Sequence, residues 1–259
     1  MKKEFVYDVA DVLRAVSGKV PSRFTSAIVV AAGNSTRMNG TSKQLAMLDG
    51  MPVLVRTLRA YQRCPIISEI ILVAKESEIP QHEEFRVKYK LSKLKAIVPG
   101  GQDRQESVRK GLAKVHPDAG FVAIADGARC LCTPEMIERV CRAAFANGAA
   151  TAACRVTDTV KKARADGLFI DTTLERDSIW LAQTPQVFTQ KLYRAAAYSA
   201  AEKGITATDD NALVERLHRK IRLVDCGPEN IKITVPEDMT RAQKILESRR
   251  ALRDIEEDL

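Results

Sequence analysis

Six apolar residues in a row, Ala27-Ile28-Val29-Val30-Ala31-Ala32, stopped by Gly33, restrict what this chain can fold into. Apolar side chains without alternation require both faces of a strand to be covered, the condition of a strand inside a parallel sheet flanked by helices. Comparable runs return at Glu69–Ala74, Leu94–Val98, Phe121–Ala125 and Ala149–Val156. Between them lie segments with helical spacing. Pro52–Cys64 puts Val53, Leu54, Leu58 and Tyr61 on one face; Ser77 to about Leu91 and Gln105–Val115 follow. Thr133 to about Ala146 opens with a capping threonine, a proline and an acid. Strand and helix in alternation predict an open parallel sheet with helices on both faces, where ligands bind beyond the carboxyl ends of the strands. Gly33–Lys43, Gly100–Ser107 and Asp126–Arg129 each follow a strand, so they are expected to meet at one edge.

Thr157–Asp177 interrupts this rhythm. Val160–Ala163 and Leu168–Ile170 are short strand-like runs joined through Asp166-Gly167, which predicts a hairpin. Two strands alone are marginal, and a second subunit is a natural surface for them to pack on. Thr184–Phe188 then re-enters the body, Lys191–Lys203 reads as a helix, and Thr208-Asp209-Asp210 caps another running to about His218. Ile221–Val224 and Asn230–Thr234 are expected strands, and Pro236-Glu237-Asp238 opens a final helix. Phe5, Val9, Val12 and Val16 fall at helical spacing before Ser17-Gly18 and Pro21-Ser22 break the pattern. The expected organisation is an N-terminal appendage over 1–25 containing a short helix, then one domain over 26–259 with the hairpin arm at about 157–177.

The loop after the first run carries Arg37 and Lys43, with no acidic side chain before Asp49. Small residues let the backbone approach a ligand, main-chain N–H groups can cradle phosphate oxygens, and the two cations can meet phosphate charge. A nucleoside triphosphate suits such a loop; the plainer alternative is a solvated connection between strand and helix. The spacing of Gly33 and Gly40 is wrong for a Walker A loop, and no G-x-G-x-x-G triplet occurs. A formal net charge of +8 favours an anionic ligand. Aromatics are only 5% and acids are interleaved with Lys and Arg, so a small phosphorylated ligand fits better than nucleic acid.

No stretch approaches the ~20 apolar residues of a membrane span, and the segment after Met1-Lys2-Lys3 lacks the unbroken apolar core of a secretory signal. The cysteines, at 64, 130, 132, 141, 154 and 226, form no Cys-x-x-Cys pair, and the histidines lack zinc-like spacing. They are expected to be reduced core thiols of a cytoplasmic protein, with Cys130-Leu131-Cys132 as a redox pair the other option.

The motifs, taken together, resemble a known family. Ala31-Ala32-Gly33 with Arg37-Met38 and Lys43-Gln44 is similar to the opening motif of nucleotidyltransferases acting on sugar phosphates. Later come Gly100-Gly101 with Arg104 and Ser107-Val108, Asp126-Gly127-Ala128-Arg129, Asp158-Thr159-Val160-Lys161 and Glu175-Arg176. Gln183-Thr184-Pro185-Gln186, Thr208-Asp209-Asp210 and Asn230-Ile231-Lys232-Ile233-Thr234 complete the series. In this order they resemble the isoprenoid-pathway cytidylyltransferases that act on 2-C-methyl-D-erythritol 4-phosphate, from about Ser26 to the last helix. The resemblance implies a Rossmann-like, three-layer α/β/α, mainly parallel sheet of the nucleotide-diphospho-sugar transferase type. It also implies a protruding β-hairpin arm that reaches across a homodimer to complete the partner's site.

The implied reaction is attack by the acceptor's phosphate oxygen on the α-phosphorus of CTP, with Mg²⁺ or another divalent cation on the triphosphate and pyrophosphate leaving. The attacking phosphate is already anionic, so no general base is needed and cations must neutralise the charge brought together. By resemblance, Arg37 and Lys43 stabilise the transition state, while Arg176 and Lys232 position the acceptor phosphate. Ala31, Ala32, Gly33, Gly100, Gly101, Arg104, Ser107 and Asp126 belong to the CTP site, with the glycine loop acting largely through backbone groups. Arg129 and Thr159 join Arg176 and Lys232 on the acceptor, Thr159 and Arg176 from the other subunit. Asp126 is also the one residue suggested for the metal. The family usually reads His-Asp-Ala-Ala-Arg-Pro where this chain has Ala125-Asp126-Gly127-Ala128-Arg129-Cys130. That departure predicts a more flexible loop and leaves the acceptor open, with D-ribitol 5-phosphate as the nearest alternative. A catalytically dead nucleotide-binding scaffold is the alternative from another class.

Overall fold

The first apolar run forms β1 (Thr25–Val30), with Ala27 and Val29 buried on one face and Ile28 on the other. The computed structural model describes residues 21–33 and 42–257, so the N-terminal helix expected before Ser17 lies outside the described residues. A two-strand turn, β2 (Met47–Leu48) and β3 (Met51–Pro52), leads into α1 (Val53–Arg63). The alternation continues as β4 (Ile67–Ala74), α2 (Ile79–Lys88), β5 (Leu94–Pro99), α3 (Arg104–Leu112), β6 (Phe121–Asp126), α4 (Pro134–Asn147) and β7 (Ala149–Arg155). β8 (Lys161–Ala163) and β9 (Ile170–Thr173) form the arm. β10 (Trp180–Thr189), α5 (Gln190–Glu202), α6 (Asp210–Glu215), β11 (Arg222–Asp225) and α7 (Pro236–Glu257) follow.

Seven strands make one sheet in the order β11-β7-β10-β6-β1-β4-β5. β5, β4, β1 and β6 are parallel neighbours, as are β7 and β11. The exception is β10, antiparallel to both β6 and β7. Its ladder to β7 breaks between Ala182 and Gln186, around Pro185, which has no N–H to donate. On one face Leu54, Leu58 and Tyr61 of α1 and Ile137, Val140 and Cys141 of α4 pack over Val29, Leu72 and Phe121. On the other, Val108 and Leu112 of α3 and Leu192 and Tyr193 of α5 cover Ile28, Ile71 and Val122. Each such side chain contributes about 1.5–3 kcal/mol by leaving water, so the two layers hold the sheet from both sides.

Several boundaries differ from the sequence expectation. Asn230–Thr234 joins no sheet; it is an extended strap held by the Ile233 N–H on Ala128 O at 2.9 Å, although Ile233 is buried and Lys232 exposed as alternation requires. The arm's connection runs from Arg164 to Phe169 rather than through Asp166-Gly167 alone: Arg164 N–H donates to Phe169 O, so the second strand starts at Ile170. α6 stops at Glu215, and a turn with His218 at φ 54° replaces the expected last residues. All six cysteines are buried and free, and burial pushes the Cys130 thiol up to about 12, which makes it a poor nucleophile.

Candidate active site

The parallel strands β1, β5 and β6 end at the same edge, and the chain leaving each of them lines one cavity of about 290 Å³. From the first loop come Ala32, Gly33, Lys43 and Gln44; from the second, Gly101, Arg104 and Ser107; from the third, Asp126 and Ala128; Lys232 enters on the strap. The predicted convergence is therefore what the sheet produces. Ala31 and Gly100 stand behind this wall: Ala31 N–H donates to Val73 O and Gly100 N–H to Ala74 O. A Cβ on Gly100 would sit 2.3 Å from the Ala32 Cβ, so only glycine lets the first and second loops touch.

The second loop is shaped by its own side chains. Asp103 caps α3 by accepting the Glu106 N–H at 2.7 Å, and Glu106 reaches back to the Gln102 N–H at 2.7 Å, a reciprocal cap. Ser107 Oγ accepts the Gly101 N–H at 2.9 Å and donates to Asp103 O at 2.7 Å. The N–H groups of Gly100, Gly101 and Gln102 are thus already engaged in building the loop.

Asp126 is the electrostatic hub. Its carboxylate faces Lys232 Nζ at 3.0 Å, Arg104 Nε at 3.5 Å and Arg129 Nε at 3.6 Å. Burial alone would raise its pKa, but these three cations overcome that penalty and hold the carboxyl at about 2. Thr184 Oγ1 accepts the Asp126 N–H at 3.1 Å, and Arg129 Nη1 donates to Asn230 O at 2.6 Å. Burial lowers the Arg129 pKa, opposed mainly by Asp126. Arg104, Arg129 and Lys232 gather on Asp126, the buried Asp210 pairs with Arg104 Nη1 at 2.7 Å, and Lys43 and Asp103 complete the charged groups along the wall among the described residues. The excess of cations suits a multiply charged anion.

Because its folded pKa lies below the ordinary value of 3.8, Asp126 adds stability above pH ~4, and that contribution is lost as pH falls through about 2. Asp126→Asn is expected to destabilise the protein by about 2 kcal/mol near neutrality, with the gap to the parent closing toward pH ~2. Urea unfolding of both proteins at neutral and acid pH checks this; an equal gap at both would exclude the ion-pair origin.

The Asp126–Arg129 loop is not loosened by its glycine. Gly127 N–H donates to Val30 O at 2.8 Å, and its carbonyl accepts the Thr57 hydroxyl at 2.8 Å. A Cβ there would lie 3.0 Å from Leu54 Cδ1 and 3.1 Å from both Gln44 Oε1 and Val30 O. The small residue permits close packing against β1 and α1, and the expectation of a more flexible loop is corrected accordingly.

Arg176 and Thr159 are exposed and do not line the cavity of their own chain; Arg176 Nη1 donates to Thr157 O at 3.3 Å and Nε lies 3.9 Å from Asp177. Arg37 lies outside the described residues. Three residues went unassigned in the sequence: Gln44, Asp103 and Asp210. For Asp103 the signal was present, an acid three residues before Glu106 at a helix start. Among the described residues no group of three or more His, Cys, Asp or Glu could enclose a metal ion; Asp103 and Asp126 are the carboxylates lining the cavity. Nor, among them, is any helix long and apolar enough to cross a membrane.

Residues 25–248 match the family model of 2-C-methyl-D-erythritol 4-phosphate cytidylyltransferase (IspD). The 2-C-methyl-D-erythritol 4-phosphate cytidylyltransferase of Pelotomaculum thermopropionicum is 43% identical over 229 residues, 86% of this chain and 94% of the relative. That of Geobacillus kaustophilus is 40% identical, covering 87% of this chain and 98% of its own. Among solved structures, 4-diphosphocytidyl-2C-methyl-D-erythritol synthase from Anaerococcus prevotii superposes with a TM-score of 0.78 at 31% identity, covering 86% of this chain and 96% of that one. A cationic cavity at the carboxyl edge, a mainly parallel sheet and near-complete coverage of these relatives agree: the chain belongs to the 2-C-methyl-D-erythritol 4-phosphate cytidylyltransferase family.

Proposed function

We propose that this cavity receives CTP and that the chain transfers its cytidylyl group to 2-C-methyl-D-erythritol 4-phosphate, as the names of its relatives state for them. The observation that carries the site assignment is the cluster of Arg104, Arg129 and Lys232 around Asp126, with Lys43 on the same cavity wall, at the carboxyl edge of the sheet. An oxygen of the acceptor's phosphate bonds to the α-phosphorus of CTP, the bond from that phosphorus to the bridging oxygen breaks, and pyrophosphate departs with the electron pair. Lys43 faces the triphosphate from the chain after β1, and Arg37 of the same sequence motif is assigned to the triphosphate by the family resemblance alone. Arg104, Ser107 and the glycine loop hold the nucleoside end, and Lys232 and Arg129 meet the acceptor. No side chain has to remove a proton from the nucleophile; the work is neutralisation and in-line placement.

A divalent cation such as Mg²⁺ fits this donor set. Mg²⁺ keeps several waters and takes one or two carboxylates plus substrate phosphates, and Asp126 and Asp103 are the cavity-lining carboxylates that would hold it. When bound, the ion would supply charge neutralisation on the triphosphate. Six free, buried thiols support a reducing, cytoplasmic setting.

The arm supports a homodimer. β8 and β9 are exposed throughout, and Leu168, Phe169 and Ile170 are 81%, 64% and 59% exposed at its tip. An isolated hairpin of this kind is marginal and its apolar tip suits a protein contact. β7, whose end feeds the arm, runs parallel to β6 across the antiparallel β10, so the arm leaves from the cavity's edge of the sheet. This favours Thr159 and Arg176 acting in the partner's site.

Incubation with CTP, Mg²⁺ and a panel of alditol phosphates tests the assignment. Pyrophosphate release is expected with 2-C-methyl-D-erythritol 4-phosphate and to be far slower with D-ribitol 5-phosphate; the reverse order would refute the acceptor. CTP binding without turnover on any acceptor would point to a dead scaffold.

A further inference from the structure

Gln183-Thr184-Pro185-Gln186 and Thr208-Asp209-Asp210 carried the family resemblance, yet none of these residues lines the cavity. The second glutamine and the aspartates instead build a buried network behind Arg104. Gln186 Oε1 accepts the N–H groups of Asp210 at 3.0 Å and Asn211 at 3.1 Å, while Gln186 Nε2 donates to Asp209 Oδ2 at 2.8 Å. Asp209 caps α6 by accepting the Ala212 N–H at 3.0 Å. The first turn of α6 is thereby fixed, and with it the Asp210 carboxyl, only 1% exposed. Asp210 Oδ1 accepts the hydroxyl of the fully buried Tyr193, and Oδ2 faces Arg104 Nη1 at 2.7 Å. Arg104 then turns its Nε toward Asp126 at 3.5 Å on the cavity side.

A free arginine samples many rotamers, and a buried carboxylate anchored on its other oxygen and ion-paired to the guanidinium at 2.7 Å removes most of them. We propose that Asp210 is a positioning residue for Arg104: anchored by Tyr193 and Gln186, it holds the guanidinium at the cavity wall in the orientation that receives CTP. The proposal rests on the reading of this cavity as the CTP site. Asp210 lies behind Arg104, and its ion pair is with Arg104 rather than with Arg129 or Lys232, so its influence falls on the nucleotide and not on the acceptor.

Steady-state kinetics on the full chain test it. Asp210→Asn keeps the size and the Tyr193 contact but removes the charge. The CTP KM is expected to rise about tenfold or more, with the acceptor KM and kcat within about twofold of the parent. An unchanged CTP KM in the folded variant overturns the proposal, and so does a parallel rise of both KM values. If Asp210→Asn fails to fold, Tyr193→Phe decides: it keeps both charges and should raise the CTP KM by a smaller factor, and no change there is an overturning result. In a cycle, adding Asp210→Asn to Arg104→Ala should not raise the CTP KM further, because nothing remains to be positioned; additive losses would speak for a separate structural role and against the proposal. Calorimetric titration of the parent with CTP separates the two readings. Absence of CTP binding removes the site assignment and the proposal with it, whereas equal CTP affinity in parent and Asp210→Asn removes only the proposal.

Discussion

Replacing Lys43 by alanine is expected to lower kcat by about 10²–10³, the usual loss when one preorganised donor to a developing negative charge is removed. Lys43 lines the cavity beside Gly33 and Gln44, on the wall formed by the chain leaving β1. The other cations come from different directions: Arg104 from α3, Arg129 from the loop after β6 and Lys232 from the strap. Those three share Asp126, and Arg104 also pairs with Asp210. Among the described residues of the first loop, Lys43 is the cation that faces the cavity, so neutral Gln44 and Gly33 would be left opposite the triphosphate. Because the leaving pyrophosphate gains charge as the bond breaks, the loss should fall on kcat more than on the CTP KM. Lys43→Arg, which restores the charge on a wider, planar head, is expected to recover part of the rate. Steady-state pyrophosphate release with purified, folded variants measures this, and a kcat equal to the parent's would remove Lys43 from the catalytic set.

The same wall illustrates what a sequence can and cannot disclose. β1 and β4 were readable because both their faces are buried over residues 27–29 and 70–74, where consecutive positions are apolar. β10 was only half readable. Its Gln183–Phe188 half is buried, whereas Leu181 and Ala182 are exposed and Pro185 breaks the ladder, so neither periodicity nor composition marks the first residues as strand. Its antiparallel direction follows from the chain's excursion through the arm, which the strand–helix rhythm does not encode. In Asn230–Thr234 the alternation was real but reported side-chain direction alone; the segment is held by Asn230 Nδ2 on Gln183 Oε1 and Thr184 O and by Ile233 on Ala128, with no ladder.

The site divides along the same line. Residues whose function is to carry charge, Lys43, Arg104, Asp126, Arg129 and Lys232, stood inside recognisable motifs, and the fold brings all five to one place. Gln186 and Asp210 also stood inside motifs, but the holding role proposed for them was not legible there. Asp210, Tyr193 and Gln186 act through partners far along the chain, and nothing local distinguishes a cap aspartate from one that orients an arginine. Gly127 is a third kind: it read as freedom and acts as tight packing, a difference set by Leu54, Gln44 and Val30 from three other segments.

Arg176→Ala, on the proposed shared-site arrangement, is expected to be as inactive as Lys43→Ala, and mixing the two inactive proteins should restore activity. The reasoning is geometric. Arg176 sits on the exposed base of the arm and does not line the cavity of its own chain, while Lys43 lines it. If each site takes Lys43 from one subunit and Arg176 from the other, a mixed dimer has one site carrying both lesions and one carrying neither. Random pairing in two-fold dimers then leaves intact about one quarter of all sites, and so about one quarter of parental kcat per chain. The arm's base should tolerate the change, since Arg155 stacks on Trp180 at 4.4 Å and holds it independently of Arg176. Subunit exchange is verified by mixing tagged and untagged chains, and activity is followed as exchange proceeds. Recovery that tracks exchange places Arg176 in the neighbouring site. Complete exchange with no recovery would mean that Lys43 and Arg176 serve the same chain, and the exposed arm would then need a movement toward its own cavity to bring Arg176 there.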